Sequence, residues 1–276
     1  MHLSCLTNSY GRFGPEAALE LVPRTGVTFL ELPVRNEGMV SFFKETPLLT
    51  DASDPDTVQR VLERIHDAGL RLSSCNLTSG NPLQAEALER TLRKIRIAGQ
   101  LGVSLVVAGG GEIESDEDWP TLVNHMRQIG DAAEEQGIIY CCETHPGTCQ
   151  NADRMLEFLD RVNHPQIRIN FDTGNIFYYN EGLDVYHELQ RVLPSVRHVH
   201  LKDTNGGFKD WHFPEFGAGG AVDFVRVREI LEGAGYEGPA SLEIEGIQGE
   251  PELTLDQYQQ RFVDSVVHLQ KCGWTV

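Results

Sequence analysis

Four stretches in the second half of the chain each end on side chains of the kind that hold a metal ion or move a proton. They read Ile138-Ile139-Tyr140-Cys141-Cys142-Glu143-Thr144-His145, Arg168-Ile169-Asn170-Phe171-Asp172-Thr173-Gly174-Asn175, Arg197-His198-Val199-His200-Leu201-Lys202-Asp203 and Ser241-Leu242-Glu243-Ile244-Glu245-Gly246. Charge in such strand-like runs is costly to bury unless it is paired or metal-bound. One isolated case would be a salt-bridge partner or a rim residue. Four at matching depth on neighbouring strands point to a shared centre. Three carboxylates and one imidazole make a mostly hard, oxygen-rich set, which suits manganese, magnesium or cobalt better than a structural zinc. Catalytic zinc also takes histidine and carboxylate ligands. Side chains two apart on a strand share a face, so His198 points the same way as His200 but one layer deeper, a place for core packing or for support behind a ligand. Glu243 and Glu245 also share a face, and alternation alone does not choose between them.

The elements that must position these groups alternate along the chain. Short apolar runs at 2–7, 27–32, 70–76, 103–108, 138–143, 167–172, 197–203 and 240–245 are near-continuous, as expected of buried parallel strands. Helical patterns fall between them at 15–23, 54–68, 82–101, 115–136, 152–163, 183–193, 222–233 and 255–271. Asp54-Pro55 reads as an N-cap followed by proline in the first turn, and Ser115-x-x-Asp118 is close to a capping box. Gly69, Gly102, Gly137 and Gly235 each follow a helix and lead into the next strand, a fitting place for a left-handed cap. Eight strand–helix units in 276 residues predict one domain, 1–276, folded as an α/β (β/α)8 barrel. An open doubly wound sheet is disfavoured, because no GxGxxG follows the first strand. Two strand-to-helix segments, 35–53 and 204–221, are longer than the rest and sit on the face where barrel active sites lie.

Lys plus Arg number 23 against 41 Asp plus Glu, a net charge of −18. That balance repels polyanions, so neither nucleic acid nor an anionic membrane surface is expected as a partner. No run approaches the roughly 18 apolar residues of a membrane span, and the first residues lack the pattern of a signal peptide. The six cysteines form no CxxC pair, and Cys5, Cys75, Cys141 and Cys142 fall in apolar runs where a thiol packs as a small hydrophobe. A reducing, cytoplasmic setting is therefore expected.

The order and spacing of several short motifs carry a resemblance. They are Glu143-Thr144-His145, Asp172-Thr173-Gly174-Asn175, His198-Val199-His200-Leu201-Lys202-Asp203, Gly217-x-Gly219-x-x-Val222-Asp223-Phe224, and Gly235-Tyr236-x-Gly238 leading to Glu243. Together they resemble the xylose isomerase-like superfamily of barrels, which includes sugar isomerases, 3-epimerases, inosose dehydratases and endonuclease IV. The likeness is strong over strands five to eight and one of pattern only before them. It implies a single divalent metal, manganese first and magnesium, cobalt or zinc after it, held by Glu143, Asp172, His200 and Glu243. It implies that Glu143 and Glu243 exchange protons with the carbons beside the carbonyl of a keto-sugar, through an enediolate, in an isomerase or epimerase. Asn175 stands where epimerases usually carry histidine, and the His-x-His-Leu-Lys-Asp form is more similar to inosose dehydratases. A dehydratase or lyase acting on a keto-sugar or keto-cyclitol is therefore the alternative, and a barrel that binds sugar without turnover is the third reading. Relatives that form dimers or tetramers imply a homo-oligomer. The three-zinc branch would need further histidines, and the acidic charge opposes DNA.

Around that core, His145 is expected to bond substrate or shuttle a proton. Lys202 is expected to hold a substrate oxygen or the enolate, the alternative being a salt bridge with Asp203. Trp211 and His212 on the long seventh loop are expected to line a carbohydrate pocket. Glu31, Asn76 and Glu112 close strands two to four and are expected to contact substrate, as are Asn175 and Glu245. The Gly217–Gly220 run has the composition of a phosphate-binding loop, but with only Lys202 and Lys209 nearby it reads as a turn, so the expected small-molecule substrate is not phosphorylated.

Overall fold

Each apolar run becomes a parallel strand in the computed structural model, which describes all 276 residues. The barrel strands are β1 (His2–Leu6), β2 (Phe29–Arg35), β3 (Arg71–Asn76), β4 (Leu105–Gly109), β5 (Ile139–Glu143), β6 (Ile167–Asp172), β7 (Val196–Leu201) and β8 (Pro239–Leu242). Neighbours pair in sequence order, and β1 pairs with both β2 and β8, so the sheet closes on itself. Eight outer helices follow: α1 (Gly14–Leu21), α2 (Pro55–Asp67), α3 (Ala85–Gln100), α4 (Trp119–Glu135), α5 (Ala152–Val162), α6 (Val185–Val192), α7 (Phe224–Gly233) and α8 (Leu255–Lys271). This is a single (β/α)8 barrel, as the alternation predicts.

Local chemistry sets the boundaries. Asp54 caps α2 by accepting from the Thr57 N–H at 2.7 Å, a bond of the kind that contributes about 1 kcal/mol. Ser115 and Asp118 form the reciprocal capping box, on a short 3-10 turn that runs into α4. Gly69 and Gly137 take φ of 76° and 68°, the left-handed conformation that ends a helix without a Cβ clash. Strands are shorter than the apolar runs suggest at the C-terminal rim. β7 stops at Leu201 and β8 at Leu242, so Lys202, Asp203, Glu243 and Glu245 lie just beyond the strands. A main-chain bond from the Glu243 N–H to the Leu201 carbonyl at 2.9 Å still ties that residue to β7.

Two further devices position the rim. A two-residue antiparallel pair, His212–Phe213 with Gly246–Ile247, joins the long loop after β7 to the loop after β8. Lys94 of α3 is fully buried and donates to the carbonyls of Thr78 at 2.9 Å and Leu77 at 3.4 Å, holding the loop after β3 against the helix layer. Burial pulls its ammonium down to about 7. All six cysteines are free, five of them buried, and no helix is long and apolar enough to cross a membrane.

Candidate metal centre

Inside the barrel the strands carry polar residues rather than a purely apolar filling. Ser4, Ser73 and Ser74 hydrogen-bond in a chain, and Ser74 reaches His198 Nε2 at 3.0 Å. Ser241 approaches the same nitrogen at 3.3 Å, and Asn170 bonds His198 Nδ1 at 2.9 Å. This buried layer is satisfied internally, as buried polar groups must be. The layer above it holds the cluster. Asp172 of β6 and His200 of β7 are in register, which sets them at one height. Glu143 closes β5, and Glu243 follows β8.

A ligand-type atom from each of Glu143, Asp172, His200 and Glu243 lies within 4.8 Å of every other, and all four residues are buried. His200 Nδ1 is 3.2 Å from Glu143 Oε1, 3.1 Å from Glu243 Oε2 and 3.8 Å from Asp172 Oδ2. Three carboxylates crowd one imidazole and one ammonium, that of Lys202. Two of their oxygens, Asp172 Oδ2 and Glu243 Oε2, are buried without a properly angled donor, although the Lys202 ammonium approaches them to 3.3 and 3.0 Å. Orphaned oxygens in a mostly oxygen donor set fit a hard divalent cation.

The charges show the strain of that crowding. Burial drives the Asp172 carboxyl up to about 8, against the pull of Lys202. Burial also opposes the charge of Glu243, but Lys202 and His200 outweigh it and hold that carboxyl well below the usual range. Glu245 is pushed up to about 7 by burial, again against Lys202. For His200, burial disfavours the imidazolium, yet Glu31 and Glu243 prevail and raise it well above the ordinary histidine value.

The other expected residues divide. Lys202 is buried, and its ammonium is 3.0 Å from Glu245 and 3.1 Å from the Asn175 side-chain oxygen. It does not pair with Asp203. That carboxylate instead accepts from the N–H groups of Thr204, Gly217 and Val222, filling the glycine-rich turn that an external anion would need. Asn175 is brought in fully: its amide donates to the Thr144 carbonyl and its N–H to Asp172. His145 is exposed at the mouth with its ring 5.3 Å from Tyr179. Glu112 is also exposed, three residues past β4, and shares with Thr78, Asn81, Glu143 and His145 a cleft of about 240 Å³ that Pro82 and Pro146 also line. Gly147 lets the loop after β5 close that cleft, since a Cβ there would stand 2.6 Å from the Gly111 carbonyl. A larger groove of about 540 Å³ lies at the opposite, N-terminal end of the strands between Leu193 and Gly238, away from the face where barrels do chemistry.

Trp211 packs with Phe42, Tyr178 and Phe213 in an aromatic group at the rim. His212 sits in the short strand opposite Ile247. Asn76 is buried, and its side-chain oxygen accepts from the Thr78 hydroxyl at 2.9 Å. The reading of Glu31 as a substrate contact is corrected. It is fully buried against His200 and His198, whose Nε2 atoms lie 3.0 and 3.2 Å from its carboxylate, because a long side chain from β2 reaches across the barrel to the histidines of β7. Asn170 is a residue the sequence reading passed over. Its signal was available: it is polar and two residues before Asp172, hence on the same inward face.

The xylose isomerase-like TIM barrel model matches residues 19–264. An inosose dehydratase of Geobacillus thermodenitrificans is 29% identical over 140 residues, 45% of this chain and 46% of that one. The chain thus spans about half the length of the inosose dehydratases that it matches. An L-ribulose-5-phosphate 3-epimerase of Salmonella typhimurium is 25% identical over 243 residues, 82% of this chain and 80% of the other. A xylose isomerase-like TIM barrel protein from Mycobacterium smegmatis, solved in complex with magnesium, superposes with a TM-score of 0.70 at 18% identity, covering 97% of this chain and 96% of that one. On the match of the family model to most of its length, the chain belongs to the xylose isomerase-like TIM barrel family.

Proposed function

We propose that this chain is a divalent-metal-dependent isomerase or epimerase of an unphosphorylated keto-sugar or related polyol, with Glu143 and Glu243 as its acid–base pair. The observation that carries this reading is the convergence of those two carboxylates, from β5 and the end of β8, on one buried point beside His200 Nδ1. Glu143, Asp172, His200 and Glu243 would hold the ion, with manganese the first choice for so oxygen-rich a set. When bound, the ion supplies Lewis-acid polarisation of the substrate carbonyl. The residues do the rest. One glutamate takes the proton from the carbon beside the carbonyl, and the other returns a proton on the opposite face. Lys202, held by Glu245 and Asn175, faces the negative charge that develops on the enediolate oxygen. His145 and Glu112 line the polar cleft that would take the hydroxylated arm of the substrate. Among the relatives, the L-ribulose-5-phosphate 3-epimerase supports this chemistry.

One observation favours a second reading, a dehydratase. Glu245, brought up to about 7 by burial and bonded by Lys202 at 3.0 Å, is a third proton carrier beside the pair. Epimerisation does not need it, whereas elimination must protonate a departing hydroxyl. The inosose dehydratase relatives support that outcome. Incubation of manganese-loaded protein with ketoses and keto-cyclitols in D2O separates the readings. Deuterium uptake with an otherwise unchanged formula is expected for isomerisation, and loss of water marks the dehydratase. Neither result across the panel would leave a barrel that binds without turnover.

A further inference from the structure

The floor of the centre contains a carboxylate that the proposed reaction does not use. Glu31 is fully buried. Its oxygens lie 3.1 and 3.0 Å from His200 Nε2, and one of them is 3.2 Å from His198 Nε2. The other ring nitrogen of His200, Nδ1, lies 3.2 Å from Glu143 and 3.1 Å from Glu243, and the Asn170 side-chain amide nitrogen also approaches it to 3.1 Å. A neutral imidazole offers a lone pair on one nitrogen only when its hydrogen is on the other. Glu31 is the acceptor within hydrogen-bond distance of Nε2.

We propose that Glu31 is a positioning residue: its carboxylate receives the Nε2 hydrogen of His200 and so presents the Nδ1 lone pair to the metal cluster. His198 braces Glu31 from the far side. Its ring stands at 90° to that of His200, with centroids 5.2 Å apart, and Ser74, Ser241 and Asn170 hold it in place. Glu31, His198 and His200 are themselves close enough to hold an ion. The orphaned oxygens argue against that use, since both belong to Asp172 and Glu243 on the Nδ1 side of His200. A negative charge behind the ring also makes Nδ1 a stronger donor, which a main-chain carbonyl would do less well.

This inference rests on the metal reading above, and the test separates the two. Manganese binding is measured calorimetrically for the wild type, Glu31→Gln, Glu31→Leu and His200→Ala, with thermal unfolding of each in chelator. Histidine-labelled wild type is examined by 15N NMR, without metal and loaded with diamagnetic zinc. The expected results are about tenfold weaker binding in Glu31→Gln and about a hundredfold in Glu31→Leu. The metal-free melting of Glu31→Gln should stay at or above the wild-type value. In the zinc-loaded wild type, Nε2 of His200 should carry the hydrogen and Nδ1 the metal. Equal affinity in wild type and both Glu31 variants overturns the inference and leaves the metal reading standing. So does a spectrum with the hydrogen on Nδ1, an outcome that needs no variant to fold. A wild type that binds no metal removes the metal reading and this inference with it.

Discussion

Four side chains at the centre compete for too little positive charge, and that competition has a measurable sign. Asp172, brought up to about 8, and His200, raised above its usual value, hold protons in the metal-free protein that ligation must displace. Metal affinity should therefore climb as pH rises toward and through about 8, with up to about a tenfold gain per pH unit for each proton released. Calorimetry in buffers of different ionisation heat reads both the affinity and the proton count; an affinity flat across that range would count against the ligand set. Glu143→Gln and Glu243→Gln keep an oxygen for the ion but lose the base, so each should lower turnover by about 10²–10⁴-fold with the ion still bound. The four converging residues were legible because each ends an apolar run, where an unpaired charge has no other good reason to be. Glu31 ends a run in the same way, yet the structure puts it under the site. Strand position gives the face a side chain takes, but the direction a long one leans across a barrel depends on the opposite wall. Lys202 posed the reverse difficulty. Its neighbour Asp203 was the obvious partner in sequence, and the chain spends that carboxylate on the backbone of a turn instead.

At the scale of elements, the repeating strand–helix pattern and its caps were readable, since both depend on near neighbours. The rim was less so. The antiparallel tie between 212–213 and 246–247 joins two loops far apart in the chain, and two-residue strands leave no periodic signal. The same holds for the turn organised by Asp203. Asp203→Ala would leave the N–H groups of Thr204, Gly217 and Val222 without their acceptor. It should cost about 1–3 kcal/mol in urea unfolding and loosen the seventh loop. Lys94 makes the α3–β3 contact sensitive to pH. Its folded value of about 7 lies below the ordinary 10.5, so between those values the unfolded chain holds a proton that the folded one does not. Stability from this group is thus lost as pH falls toward 7 and recovered as pH rises toward 10.5, with a slope of at most about 1.4 kcal/mol per pH unit. Lys94→Met should remove that slope, so its stability relative to wild type should fall steadily across the window when urea midpoints are compared.

For the molecule as a whole, the proposed ion would be a stability term as well as a catalytic one. It would draw together carboxylates on β5, β6 and the end of β8, elements that no helix cap or local turn connects. By mass action, metal at a hundredfold excess over its Kd should add about 2.7 kcal/mol, which for a chain of this size corresponds to roughly 5–10 °C in Tm. Scanning fluorimetry with manganese and with chelator reads the difference, and His200→Ala should show almost none of it. The closure of the sheet carries one more consequence, which concerns translation. β1 finds its second neighbour only in residues 239–242, with His2 opposite Pro239, and Glu243 comes one residue later. Throughout synthesis of the intervening chain, the first strand has an unfinished edge and the fourth residue of the buried cluster does not yet exist. A ribosome that stalls before the last strand would release a product with an open seam and no complete metal cage, prone to stick to its own kind. Metal added to the growth medium would not mend that product, because what it lacks is the end of the chain.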